Sequence, residues 1–149
     1  MLKERINADL KTSMLSGDKT RVDILKMLKT AITYKEVELG ARETGLTDEQ
    51  IIDVLTKEAK KRLDAAQMYE QAGSPEKAEV ERSENLVVRE YLPEQMTDEA
   101  IEAIVDSVIA ETRDVSTKDM GRIIGAVKAK AGNTADGSRV AAIVKQKLA

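Results

Sequence analysis

Aliphatic side chains return every three or four positions along this chain, which is the spacing that lines one face of a helix. Leu2, Ile6, Leu10 and Met14 stand four apart, and Val22, Leu25, Leu28 and Ile32 repeat the pattern, with Ile24, Met27 and Ala31 widening the stripe. Ile51, Ile52, Leu55, Ala59, Leu63, Ala66 and Tyr69 carry it through a third segment. Only Leu86-Val87-Val88 reads even briefly as a strand. The expected fold is all-α.

Punctuation between the stripes fixes the helix ends. Ser16-Gly17 stops the first helix and Asp18 caps the second, which runs over 19–39. Gly40 and Gly45 bracket a loop, and Thr47 to Gln50 fits a capping box opening a helix that stops at Gly73. Ser74-Pro75-Glu76 restarts a helix, with Ser74 as cap and Pro75 where a missing N–H costs nothing. Its charged first half, Glu76 to Glu84, is expected to project into solvent, while Leu86, Val87, Val88 and Tyr91 pack. Leu92-Pro93 is a boundary, since proline disfavours helix at the residue before it. Thr97 opens the next helix, with Ile101, Ile104, Val105, Val108 and Ile109 on one face. Ser116, paired with Asp119, opens the penultimate helix; Gly132 to Ala135 break it; Asp136 caps the last, whose buried face is Val140, Ile143, Val144 and Leu148. Seven helices result, an antiparallel four-helix piece over 1–92 and a compact three-helix piece over 93–149.

Composition removes several kinds of chemistry. Among 149 residues there is no His, Cys, Phe or Trp. A thiolate nucleophile, an imidazole base and a zinc site of the usual ligands are therefore all excluded, and no carboxylate pair is spaced for acid–base work. No catalytic residue, metal site or cofactor is expected. Tyr34, Tyr69 and Tyr91 are too few for a base-stacking platform. MLKERINADLK holds no apolar run of signal-peptide length, and no run of about 18 apolar residues follows that could span a bilayer. The expected setting is cytoplasmic, with no membrane partner.

Charge is unevenly distributed. Between Ser116 and Ala149, Lys118, Arg122, Lys128, Lys130, Arg139, Lys145 and Lys147 face only Asp119 and Asp136, a net +5 in a chain whose total is −3. Gly121 and Gly125 lie in the same stretch, and a helix-interior glycine costs about 1 kcal/mol against alanine. Tight packing of the last two helices, on each other or on the helix before them, is the first reading of that cost. Close approach of a polyanion backbone is the second, since Lys118, Arg122 and Gly125 can share a face. The turn from Gly132 to Gly137 leads into a helix N-terminus that could hold a phosphate. Asp136 as cap would occupy those donors and repel an anion, so a structural turn is the reading there. Lys57, Lys60, Lys61 and Arg62 form a second basic cluster, read as a solvated, salt-bridged face with Asp53, Glu58 and Asp64.

Three segments carry a resemblance: LTDEQIIDVLTKEAKKR, EQAGSPEKAEVERSENLVVREYLPEQMTDEAIEAIVDSVIAE and STKDMGRIIGAVKAKAGNTADGSRVAAIVKQKLA. The YLP-x-Q-M joint, the D-M-G-x-x-x-G run, the G-x-x-A-D-G turn and the terminal V-K-x-x-L together resemble the YqeY family, nearly end to end. That family is similar to the tail domain of the B subunit (GatB) of the glutamine-dependent tRNA amidotransferase. The resemblance implies an all-helical two-part fold and a partner: tRNA, an amidotransferase or an aminoacyl-tRNA synthetase, with no DNA. A carbon–nitrogen ligase activity would belong to the full complex rather than to this chain. Carried over by position, the contact candidates are Lys118, Arg122, Lys128, Lys130, Arg139 and Lys145, on a frame set by Gly121, Gly125, Gly132, Asp136 and Gly137. The chain departs from the family at Lys60-Lys61-Arg62-Leu63-Asp64 and at Ser74-Pro75, so the resemblance assigns no role to 57–74. The expected function is a non-catalytic module that binds tRNA or assists a tRNA-dependent enzyme; the alternative is an adaptor that docks a partner enzyme without touching RNA.

Overall fold

The structure, a computed structural model, describes residues 1–149. It is all-α, as the spacing predicts. Seven helices follow in order: α1 (Leu2–Ser16), α2 (Lys19–Glu38), α3 (Asp48–Gln71), α4 (Pro75–Arg89), α5 (Asp98–Glu111), α6 (Met120–Ala131) and α7 (Gly137–Leu148). Short 3-10 turns at Thr117–Asp119 and Gly132–Thr134 flank α6. The segment 86–88 is helical, inside α4. The chain forms two compact units, Met1–Leu92 and Pro93–Ala149. No helix is long and apolar enough to cross a membrane.

Local signals account for most helix ends. Asp18 accepts a hydrogen bond from the Arg21 N–H and Thr97 from the Ala100 N–H. Thr47 and Gln50 form the reciprocal capping box. Ser116 and Asp119 form one as well, but it opens the 3-10 turn, and α6 proper starts at Met120. Ser74 is the exception: it sits at the N-cap without a side-chain bond.

In the N-terminal unit, Ile6, Leu25, Leu28, Ile32, Ile51 and Leu55 form the fully enclosed centre. Four side chains expected on buried stripes lie at the surface instead: Met14, Met27, Leu63 and Leu86 are 57%, 51%, 41% and 66% exposed. Each sits one position off the axis of its stripe, where Ser13, Leu28, Arg62 and Asn85 take the inner place. The first half of α4 does not project freely. Ala78 is fully enclosed and Arg82 bonds Glu70 across the α3–α4 hairpin at 2.8 Å.

Tyr91 closes this unit. Its hydroxyl donates to Asp9 at 2.5 Å and accepts from Arg21 at 3.4 Å, while the Arg5 guanidinium lies 4.8 Å over its ring. Burial, then the Asp9 carboxylate, push the phenol up to about 12, against the opposing pull of Arg21. A pKa above the unfolded value means the folded state holds the proton longer, so this group's stability is intact below about pH 10 and is lost as pH rises towards about 12. We expect urea-unfolding midpoints to fall over that window by more in the wild type than in Tyr91→Phe. Spectrophotometric titration of tyrosinate should show one late step that the same substitution removes.

The C-terminal unit packs α5, α6 and α7 around Ile101, Val105, Ile123, Val127, Val140 and Val144. Leu148 is only partly buried, in the last turn of α7. The 93–97 approach is tied to the turn after α6: the Met96 N–H donates to the Thr134 carbonyl at 2.7 Å, and the Gln95 amide to the Asn133 carbonyl at 3.2 Å.

Candidate functional site

The basic residues of 116–149 do not form one open patch. Their counter-charge stands before them in the chain: 93–115 holds Glu94, Asp98, Glu99, Glu102, Asp106, Glu111 and Asp114 against Arg113, a net −6. Added to the +5 of 116–149, the C-terminal unit comes to −1. Folding brings the two charge sets together. Arg139, at the start of α7, reaches the Asp98 carboxylate at 2.6 Å and the Met96 carbonyl at 3.0 Å. Lys147, at its end, lies 3.2 Å from Asp106, and Lys130 of α6 lies 3.2 Å from Glu111. Arg122 pairs with Asp119 at 3.0 Å within its own turn. The Lys128 amine donates to the Ala135 carbonyl at 2.9 Å, which staples α6 to the turn before α7. Pairs as exposed as these add at most about 1 kcal/mol each to stability. Their larger effect is on the field, because a neutralised cation attracts a phosphate weakly. Of the six contact candidates, only Lys118 and Lys145 have no partner within the chain.

The glycines show the opposite of packing. Gly121 and Gly125 are exposed, and a Cβ built on either meets nothing within 4 Å. Neither has the positive φ that would demand glycine. The tight-packing reading is thereby overturned: α6 buries Ile123, Val127 and Ala131 on its other side, and the bare strip faces out. Arg122 flanks this strip on α6 itself, and Lys118 stands one turn earlier. Gly132 is different. It ends α6 with φ 60°, a conformation that side-chain-bearing residues rarely adopt.

The turn before α7 also differs from expectation. Asp136 occupies the N-cap position, but its side chain accepts no backbone hydrogen bond. Its carboxylate takes the Ser138 hydroxyl instead. Gly137 has open space where a Cβ would go and no strained φ. A carboxylate at the mouth of the turn still disfavours an anion there.

In the second basic cluster, Arg62 is buried at 4% exposure rather than solvated. It lies 3.1 Å from Glu58 and 3.4 Å from Glu84, between α3 and α4. Lys61 stays outside, paired with Glu58 at 3.1 Å. No group of three or more acidic side chains converges as a metal site would require.

Comparison with known proteins places the chain in a family. The family model described as Yqey-like protein matches residues 3–148. Among curated proteins, altered inheritance of mitochondria protein 41, mitochondrial, of Clavispora lusitaniae is 23% identical over 122 residues, covering 82% of this chain and 69% of that protein.

Proposed function

This chain belongs to the YqeY family, and from that premise we propose that it is a non-catalytic helical module that binds tRNA in support of a tRNA-dependent amidotransferase or an aminoacyl-tRNA enzyme. The observation that carries the reading is the outward strip of Gly121 and Gly125. Two glycines on one helix face weaken the helix, and nothing inside the chain needs them. A ligand backbone that must come close to α6 does. Lys118, unpaired one turn before the strip, gives that ligand the sign of an anion, and structured RNA is gripped largely through phosphate and ribose. With so few free cations, affinity is modest and falls steeply with salt.

The test sets binding against stability. Gly125→Ala places a methyl group in open space, so it should stabilise the unit by about 1 kcal/mol. Gly121→Ala, in the first turn, gains less. If the strip is a contact surface, the pair of substitutions raises the melting temperature while weakening the electrophoretic shift of bulk tRNA at low salt. Absence of any shift with the wild-type protein sinks the reading. The adaptor alternative rests on Leu15 and Met68, 82% and 70% exposed. A partner that stays bound after ribonuclease treatment would favour it.

A further inference from the structure

Two unpaired cations of the N-terminal unit lie side by side. Lys26 and Lys29 line an open groove of about 660 Å³ along the α1–α2 hairpin, together with Leu10, Thr30, Thr33 and Tyr34. Neither lysine has a carboxylate within ion-pair distance, although Asp23 lies three residues before Lys26. Lys11 follows Leu10 on α1 and is also unpaired. Tyr34 is 74% exposed. Such a ring costs apolar surface in water and adds nothing to the core of the unit, which Leu28 and Ile32 fill from the opposite side of α2. The two threonine hydroxyls donate to the carbonyls of Lys26 and Lys29, which leaves their oxygens free to accept.

We propose that this groove is a second RNA-contact surface, in which Lys26 and Lys29 hold successive phosphates of one strand and Tyr34 lies against a ribose or an unpaired base. The inference rests on the tRNA reading given above and moves part of the contact to the N-terminal unit. The lining decides between RNA and an acidic protein helix. Side chains three apart on a helix are neighbours, so the two ammonium groups form a pair of point charges on one face. Ammonium, hydroxyl and phenol groups suit a backbone of phosphate and ribose. Leu10 is the one aliphatic side chain in the lining and is itself 8% exposed, so the apolar surface of the groove comes from the Tyr34 ring and the carbon stems of the lysines and threonines rather than from an aliphatic socket for a docking helix. One ring is no stacking platform, so the expected ligand is folded RNA read by its backbone rather than a single strand read by its bases.

The experiment is a salt titration of bulk tRNA binding by the full-length chain. The proteins compared are the wild type, Lys26→Ala with Lys29→Ala, and Lys118→Ala with Lys145→Ala, with circular dichroism confirming equal helicity. Each phosphate contact contributes about 0.7–0.9 to the slope of log K against log salt, so loss of Lys26 and Lys29 should flatten it by about 1.5 and weaken binding about tenfold or more at low salt. Tyr34→Ala should weaken binding about fivefold and Tyr34→Phe should not. An unchanged slope in the Lys26/Lys29 variant, with the Lys118/Lys145 variant impaired, overturns the groove and leaves the tRNA reading standing. No binding by the wild type overturns both. Displacement of tRNA by poly-L-glutamate at equal charge also overturns the groove as an RNA surface and assigns it to an acidic protein.

Discussion

Arg62→Ala destabilises the N-terminal unit by about 3–5 kcal/mol, the cost of removing one partner from a buried charge pair. The side chain is 4% exposed between α3 and α4, and its guanidinium holds Glu58 at 3.1 Å and Glu84 at 3.4 Å. It also donates to the Glu58 carbonyl at 3.0 Å and touches the Met27 sulfur at 3.8 Å. Its Nε is buried without a hydrogen bond, so the pairing with Glu84 is one of charge and not of aligned donor and acceptor. Glu81 lies in the same field. Burial pushes its carboxyl above the usual range, Glu84 pushes it further, and Arg62 alone opposes. Removing that opposition raises Glu81 again. A carboxyl raised in the folded state contributes stability at low pH that is lost as pH rises through its folded pKa. The deficit of Arg62→Ala should therefore be smaller at about pH 5 than at about pH 7, a trend that a mere cavity would not produce. Arg62→Met keeps most of the volume and should lose less; an equal loss in both variants, independent of pH, would refute the charge account. Urea unfolding of the three proteins at the two pH values provides the measurement.

Arg62 also shows how the sequence can be misread when residue type is weighed above position. Leu55, Ala59, Arg62 and Ala66 are spaced four, three and four apart, which places Arg62 on the axis of the α3 stripe. Leu63 falls beside that axis and is 41% exposed. On α4, Ala78, Glu81, Asn85 and Val88 are spaced three, four and three apart, and Asn85 is buried with its amide on the Ala59 carbonyl at 2.8 Å. Alanines at 59, 66 and 78 let the two helices come close, and the polar pair between them fixes which turn of one meets which turn of the other. Reading Lys57 to Arg62 as a uniform basic cluster hides this, although the period was in the sequence. Caps were more legible, because Thr47, Thr97 and Asp18 act on donors three residues away and need no tertiary context. The basic surface of 116–149 was the least legible part of the candidate site. Whether Arg139, Lys130 and Lys147 are free depends on Asp98, Glu111 and Asp106 lying across from them, at separations of 41, 19 and 41 residues that no local pattern encodes. The glycines were misjudged for a related reason: spacing shows that Gly121 and Gly125 share a face, but only the packed unit shows that Ile123 and Val127 turn that face outward.

Ile123→Ala should abolish cooperative folding of 93–149 at physiological temperature. A unit this small has a total stability on the order of 3–9 kcal/mol, because little apolar surface can be buried in so short a chain. Ile123 is 1% exposed, in the part of α6 that meets both α5 and α7, and truncating a buried isoleucine to alanine costs about 2–5 kcal/mol. The two ranges overlap, so one substitution removes most or all of the margin. The ion pairs from Arg139, Lys147 and Lys130 to α5 cannot make up the loss, since each is solvated and worth at most about 1 kcal/mol. They also require the helices to be assembled before they form. Hydrogen exchange should accordingly show amide protection vanishing across α5, α6 and α7 together, rather than fraying near the substitution. Gly125→Ala in the same background places a methyl group in open space on the opposite side of α6 and should restore about 1 kcal/mol. That partial rescue, read as a return of protection in α5 and α7 as well as α6, would separate a unit that folds as one from three helices that loosen independently.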